Sequence, residues 1–408
     1  MAIDSGKLPH PLMAGGLLQV VLVFAMTLPM LILYATSTLG PLLSRDLHFE
    51  PVAVGYLVMS SFGLAAVLSL WAGAIVDYIG ARSALLALFG AIAAAFALLT
   101  AAQTLYSLIA AAAVCGIAQA LANPATNLLI AQQIRPEQRA RVVGLKQAGV
   151  QLAALFAGLA LPAIAFQFGW RAAFGVIVPV AFLFGLAALF VTSGQHTRSN
   201  RSLTFTRPSA VLSWLMAVQF SVGLALSAFV TFLPVFATQH DMPLLQADRL
   251  IAVFGVAGML SRIMLTPLGA KLNDESYLLF TLIAVAAAAI VLTMQTDSGS
   301  HWRLWMGAAT MGLSAVATNA IAMSMLIRDS AFGLVTAASS YVSVAFFSGF
   351  ALGPPIYGVL FRQSGDSSLA WSVLTGVMCL ACIMTLRLAS VRKQRAQASA
   401  QKPNAVLR

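Results

Sequence analysis

One arginine stands inside the apolar stretch Gly255–Leu268, GVAGMLSRIMLTPL. An ionised guanidinium near the middle of a bilayer costs about 2.5–3.5 kcal/mol on an insertion scale, so Arg262 needs a partner. A carboxylate on another helix is the usual one. Yet all 12 Asp and Glu residues read as belonging to loops, termini or the edges of apolar runs. The nearest along the chain, Asp248 and Asp274, are 14 and 12 residues away, roughly 18–21 Å along a helix. Backbone carbonyls or cavity water can serve instead. The other reading is a counter-ion that is not part of the chain, a bound anion. The planar fork of arginine donors suits a carboxylate held by two hydrogen bonds.

Other polar residues fall at the same depth. Arg262 lies nine residues before Lys271, roughly 13 Å inside that boundary at 1.5 Å per residue. Asn127 and Asn319 precede Arg135 and Arg328 by eight and nine residues, roughly 12–14 Å. Tyr34 and Gln219 are comparably deep relative to Arg45 and Arg207. Gln119, Asn123 and Asn127 recur every four residues and share one helix face. Ser339, Ser340, Tyr341 and Ser343 form a further polar run. Each of these also has a structural explanation, since such side chains hydrogen-bond across helix contacts in membranes, and Tyr34 can be a core aromatic. Lys146, in GLKQAGVQ and five residues past Arg141, either faces a central cavity or snorkels to the interface.

The elements that must position these residues are membrane helices. The chain is 60% hydrophobic and 9% charged, with a mean hydropathy of +0.91, whereas soluble domains carry about 25% charged residues. Twelve runs are long enough for a hydrocarbon core of about 30 Å: 14–36, 52–76, 83–102, 105–131, 142–166, 171–192, 210–236, 249–270, 276–295, 303–327, 333–361 and 369–388. The expected fold is all-α integral membrane, with the first span retained rather than cleaved as a signal. The polar stretch SGQHTRSNRSLTFTRP divides it into a six-helix bundle (1–192), a loop (193–209), a second six-helix bundle (210–390) and a basic tail (391–408).

A net charge of +11 does not indicate nucleic acid, because of how it is distributed. With both termini cytoplasmic, 17 of the 23 Lys and Arg fall on the inner side, as the positive-inside rule requires; the tail can also touch anionic lipid. Cys379-Leu-Ala-Cys382 has no accompanying ligand in a span, and reads as packing residues rather than a metal or redox site. No phosphate-binding loop, metal-ligand helix or nucleophile elbow is present. The expectation is therefore no enzyme, no cofactor and no metal.

The halves repeat. GLAAVLS (Gly63–Ser69) returns as GVAGMLS (Gly255–Ser261), ATN at Ala125 returns at Ala317, and FAGLAL at Phe156 returns as FSGFAL at Phe347. Such repeats mark secondary transporters, with the binding site at the repeat interface near the midplane. Where the first copy has Leu70, the second has Arg262, so the shared scaffold does not need the arginine.

The six-plus-six plan resembles the major facilitator superfamily. After the second span, GAIVDYIGAR (Gly73, Asp77, Gly80, Arg82) matches that family's loop signature, in which glycines turn the chain and Asp77 caps a neighbouring helix N-terminus. The resemblance implies that this neighbour is the eleventh helix, beginning near Phe332, and that the contact latches one face. Its counterpart TPLGAKLND is degraded, with Ala270 and Lys271 in place of Asp and Arg. The resemblance also implies that spans 1, 4, 7 and 10 line the central cavity. It points to a monomer in a bacterial inner (plasma) membrane.

SRIMLTPLGAK further resembles the eighth helix of monocarboxylate-transporter-type members, which read Arg-x-x-x-x-Pro-Leu and bind a substrate carboxylate through that arginine; Gly258 stands where some carry an acid. The implied substrate is a small organic anion, a monocarboxylate, bound by Arg262, Tyr34, Asn123, Asn127, Gln219, Asn319, Gln119, Tyr341 and Lys146. No Asp, Glu or His reads as intramembrane, so a proton co-substrate would travel with the anion in symport. The alternative is proton-driven efflux of drugs or metabolites. Against it, Ala112 stands where exporters resemble one another in an arginine, and Leu161-Pro162 follows Gly158 where they carry Gly-Pro.

Overall fold

The computed structural model describes residues 11–192, 208–269, 272, 274–333 and 335–401. Its helices are α1 (Pro11–Asp46), α2 (Gly55–Ala101), α3 (Leu105–Gln133), α4 (Pro136–Gly175), α5 (Ile177–Val191), α6 (Ala210–Gln239), α7 (Leu244–Gly269), α8 (Glu275–Met294), α9 (Trp302–Arg328), α10 (Val335–Ser364) and α11 (Ser367–Gln401). Ten helical stretches are long and apolar enough to cross a membrane. Helix starts carry local signals: Thr104 and Ser107 form a capping box on α3, and Ser209 and Asp274 cap α6 and α8. Each side-chain oxygen satisfies one amide that the first helical turn leaves unpaired.

Two stretches, 51–101 and 142–191, run to 51 and 50 residues, far more than one crossing needs. Each is bent by one glycine: Gly80 at φ 80°, ψ 161°, and Gly169 at φ 81°, ψ 161°. Only glycine enters this region readily, and both stand in the same local sequence, Gly-x-Arg. Gly73, by contrast, lies within regular helix, so of the signature glycines it is Gly80 that turns the chain. A Cβ built on Gly169 would touch nothing within 4 Å. Gly169→Ala is therefore expected to lower unfolding free energy by about 1–3 kcal/mol through backbone strain alone, measurable as a drop in detergent-solubilised thermal stability.

Asp77 is half-buried and Arg82 exposed beside the Gly80 bend. Residue 334 and the side chains of 335–337, the expected receiver of the Asp77 latch, lie outside the described residues, as do most of the 193–209 loop and the end of the basic tail. A short 3-10 turn occupies Ser330–Phe332, and α10 begins at Val335 rather than near Phe332.

Helices α1–α5 pack among themselves, as do α6–α11, and the two groups meet where α1 lies on α6, α2 on α10 and α4 on α7. The GLAAVLS and GVAGMLS copies sit at these meetings. Gly63 faces Ala351, Phe62 stacks near Phe350 with ring centroids 4.9 Å apart, and Gly255 lies against Ala154 and Leu155. Small residues let backbones approach, and that closeness supplies the dispersion contact that holds helices together in lipid.

One face of the molecule carries the start of α1 and the end of α11; it is called the terminal face here and its opposite the distal face. At the terminal face Arg392 bonds Asp274 and Asp329 and lies 3.5 Å from Glu275, binding α11 to the start of α8 and the end of α9. At the distal face Trp170 donates to Asp46 at 2.8 Å, and Arg362 pairs with Glu50 at 2.7 Å. The second pair crosses between the groups, as does the Ser37 hydroxyl bond to the Val230 carbonyl. The distal face is closed in this arrangement.

Candidate functional site

Arg262 sits in the last third of α7, seven residues before its end at Gly269, and faces α4. Its Nη1 donates to the Gln147 carbonyl at 2.6 Å and to Gln147 Oε1 at 3.2 Å. Its Nε is enclosed and has no hydrogen-bond partner. Among the described residues no carboxylate pairs with it. Of the partners the sequence left open, a main-chain oxygen of the opposite group of helices does engage it. A carbonyl dipole offsets part of a guanidinium charge, and one donor remains unused.

Arg262 lines a cavity of about 30 Å³ together with Met30, Leu33 and Tyr34 of α1, Val150 and Gln151 of α4, Leu226 and Val230 of α6, Phe254 of α7, Val316 of α9, and Phe346 and Phe350 of α10. A single water needs roughly 10–15 Å³, so the space admits water but no organic molecule. The Tyr34 ring packs 6.2 Å from that of Phe254 and is 2% exposed. Gln151 Oε1 is enclosed and without a partner.

A polar chain continues from Arg262 towards the terminal face. Gln147 Nε2 donates to Asn123 Oδ1 at 3.3 Å, joining α4 to α3. One residue earlier, Lys146 is 1% exposed, and its Nζ donates to Thr126 Oγ1 at 2.8 Å and Asn127 Oδ1 at 2.6 Å. Asn127 itself is exposed. Lys146 does not snorkel; it is turned inward against α3, because the α3 polar face lies within reach of its four-carbon stem.

The remaining predicted residues divide. Gln119 donates to the Pro29 carbonyl at 2.9 Å and fastens α3 to α1. Gln219 is fully buried; its Nε2 reaches the Thr318 carbonyl at 3.4 Å, and its Oε1 is unpartnered. These two serve helix contacts and do not line the cavity. Asn319 and Tyr341 are half-buried on α9 and α10 and are not cavity-lining either. The structure therefore brings together Arg262 and Tyr34 at the cavity, with Asn123, Asn127 and Lys146 following through Gln147. Sequence reasoning missed Gln147, Gln151 and Thr126. The signal was present: Gln147 and Gln151 are four apart and lie on one face, next to the lysine already singled out.

One acidic residue was misplaced. Asp248 read as a boundary carboxylate, but it lies inside α7, 2% exposed, with an enclosed Oδ1 that has no partner. Among the described residues, no group of three or more His, Cys, Asp and Glu could hold a metal ion.

The family profile of the Major Facilitator Superfamily matches residues 22–354. No curated relative matches the chain.

Proposed function

The chain belongs to the Major Facilitator Superfamily, and from that premise we propose that this multi-pass membrane transporter carries a small organic anion, a monocarboxylate, by alternating access. The observation that carries the proposal is Arg262: a guanidinium between the two groups of helices, faced by no acid among the described residues, with a buried donor unused. The Nε–H is the donor that a cargo carboxylate takes, and the Gln147 carbonyl is the acceptor it displaces or joins. In the distal-closed arrangement the cavity excludes cargo, so loading requires α4 and α7 to part.

Counted as two crossings each, the stretches bent at Gly80 and Gly169 bring ten to twelve, in bundles 1–192 and 210–390 with a basic tail beyond. The positive-inside distribution makes the terminal face cytoplasmic, in a bacterial inner membrane, with a monomer as the working unit and symport with a proton as the mode. Asp77 and Arg82, at the Gly80 bend, form the gate latch on the same face.

One cargo feature and one substitution effect follow. Gln151 Oε1 offers an acceptor beside Arg262, so 2-hydroxy acids bind several-fold better than their unsubstituted parents, a neutral hydrogen bond contributing about 0.5–1.5 kcal/mol. Lys146 holds the Asn127 side of the polar chain. A buried amino group without a counter-ion opposes folding, so Lys146→Met is expected to leave thermal stability unchanged or raised while anion uptake falls; stability and uptake measured on one preparation check this.

The test is uptake by the purified protein in liposomes offered labelled lactate, pyruvate, aromatic acids and dicarboxylates, with and without a proton gradient. Saturable monocarboxylate uptake, faster with the gradient, is the expected result. Accumulation of lipophilic cations and no anion uptake would overturn it.

A further inference from the structure

The acid misread as a boundary residue carries a second role. Asp248, Ala252 and Gly255 lie at i, i+4 and i+7 along α7 and face α4. A Cβ built on Gly158 of α4 would come within 2.9 Å of both the Asp248 carbonyl oxygen and Ala252 Cβ, and one built on Gly255 within 2.9 Å of Ala154 Cβ. The backbones are in contact, on the distal side of Arg262, at the meeting that closes the distal face. Into this seam the chain places a carboxyl group 2% exposed, with an enclosed and unpartnered oxygen.

The charged and titratable groups of the elements around α7 at this end are engaged elsewhere. On α4, Arg171 donates to the Ala102 carbonyl and stacks on Trp170. On α9, Arg303 pairs with Asp297, while His301, before its first turn, binds the His240 carbonyl. At the end of α6, the His240 ring contacts the Phe236 carbonyl. At the end of α1, Asp46 accepts from Trp170, and Arg45 is exposed. On α7 itself, Arg249 is exposed. Among the described residues none of these makes an ion pair or hydrogen bond with Asp248.

We propose that Asp248 is a proton-binding site whose occupancy holds the distal face shut. An ionised carboxylate with an enclosed, unpartnered oxygen is costly to bury, and such a group neutralises instead. Parting of α4 and α7 admits water and lets it ionise. The closed arrangement then binds one proton more than the open one, taken from the distal compartment. Linkage fixes the sign: acid favours closure, and rising pH shifts the balance towards distal opening by up to about tenfold per pH unit over the range where the group titrates. The inference rests on the alternating-access reading, and not on the cargo being an anion.

The test uses the full-length protein in lipid nanodiscs without cargo. Spin labels at Gln167→Cys and Leu245→Cys, both exposed at the distal ends of α4 and α7, report the gap between the helices in a background with Cys379 and Cys382 replaced by alanine. The short distance is expected to dominate at acid pH and to give way to a longer one as pH rises. Asp248→Asn, which imitates the neutral acid, keeps the short distance throughout. Infrared difference spectra of the unlabelled protein are expected to show a protonated-carboxyl band that Asp248→Asn removes. A pH response that survives in Asp248→Asn, a wild-type distance indifferent to pH, or the lack of that band would each overturn the proposal. Because no cargo is present, these outcomes are separate from any result on anion uptake.

Discussion

Replacing Arg262 with glutamine lowers subsaturating anion uptake by about a hundredfold. Truncating one partner of a buried, hydrogen-bonded charge pair costs about 2–5 kcal/mol, and at 1.4 kcal/mol per factor of ten the lower part of that range already reaches the figure. The loss appears with the protein still folded, because the side chain removed is a costly one: its Nε has no partner, and its Nη1 is shared with a carbonyl. Removal of a buried, uncompensated cation leaves stability level or improved. Arg262→Lys fails almost as badly. A lysine ammonium is a point donor on a flexible stem and cannot bond the Gln147 carbonyl and a carboxylate side by side as a planar fork does. Uptake and thermal unfolding of the same preparations measure both halves of the prediction.

The second large effect comes from glycine. A Cβ at Gly158 would overlap the Ala252 amide nitrogen, and one at Gly349 would overlap the Phe220 carbonyl. Both neighbours are backbone and cannot swing aside. The consequences differ because the two contacts differ. Gly349 of α10 meets α6 inside one group of helices, a contact kept throughout any cycle, so Gly349→Val destabilises the fold by about 1–3 kcal/mol or more. Gly158 meets α7 across the groups, a contact that exists only while the distal face is closed. Gly158→Val taxes that arrangement alone. A penalty of about 3 kcal/mol moves a two-state balance roughly 150-fold, enough to strand the carrier open on the distal side. The expected observation is a folded protein of near-wild-type thermal stability that binds cargo but does not turn over. Loss of folding in Gly158→Val, or turnover at the wild-type rate, would contradict the assignment of this contact to the gate.

Much of this was legible from the chain. Apolar runs of membrane length gave the helices, and of the two signature glycines expected to turn the chain, Gly73 and Gly80, only Gly80 does. The internal repeats marked Gly63 and Gly255, which do stand where the two groups meet. Arg262 declared itself as an arginine within a long apolar run. What failed was the direction of side chains. Spacing of four put Gln119, Asn123 and Asn127 on one face, but a helix face is wide enough to touch two neighbours. Gln119 bonds α1, whereas Asn123 and Asn127 bond α4. Gln219 is claimed by α9. Asp248 was lost for the opposite reason. Four residues into α7, near loop residues, its local sequence is that of an exposed helix start; its burial comes from tertiary packing, in which Gly158 lies against its carbonyl. Phe346 and Phe350 closed the list of cavity residues unannounced, since nothing in a helix of apolar residues distinguishes the aromatic that faces the passage from one that faces lipid.

The claim on which the transport reading turns is that the cargo's own negative charge answers Arg262, and equilibrium binding to purified protein tests it most directly. Titrating a labelled monocarboxylate against its neutral amide isostere, in wild type and in Arg262→Gln, should give saturable binding of the acid to wild type alone. Equal binding of acid and amide, or undiminished binding of the acid to Arg262→Gln, would show that this arginine serves the closed contact with Gln147 and no cargo.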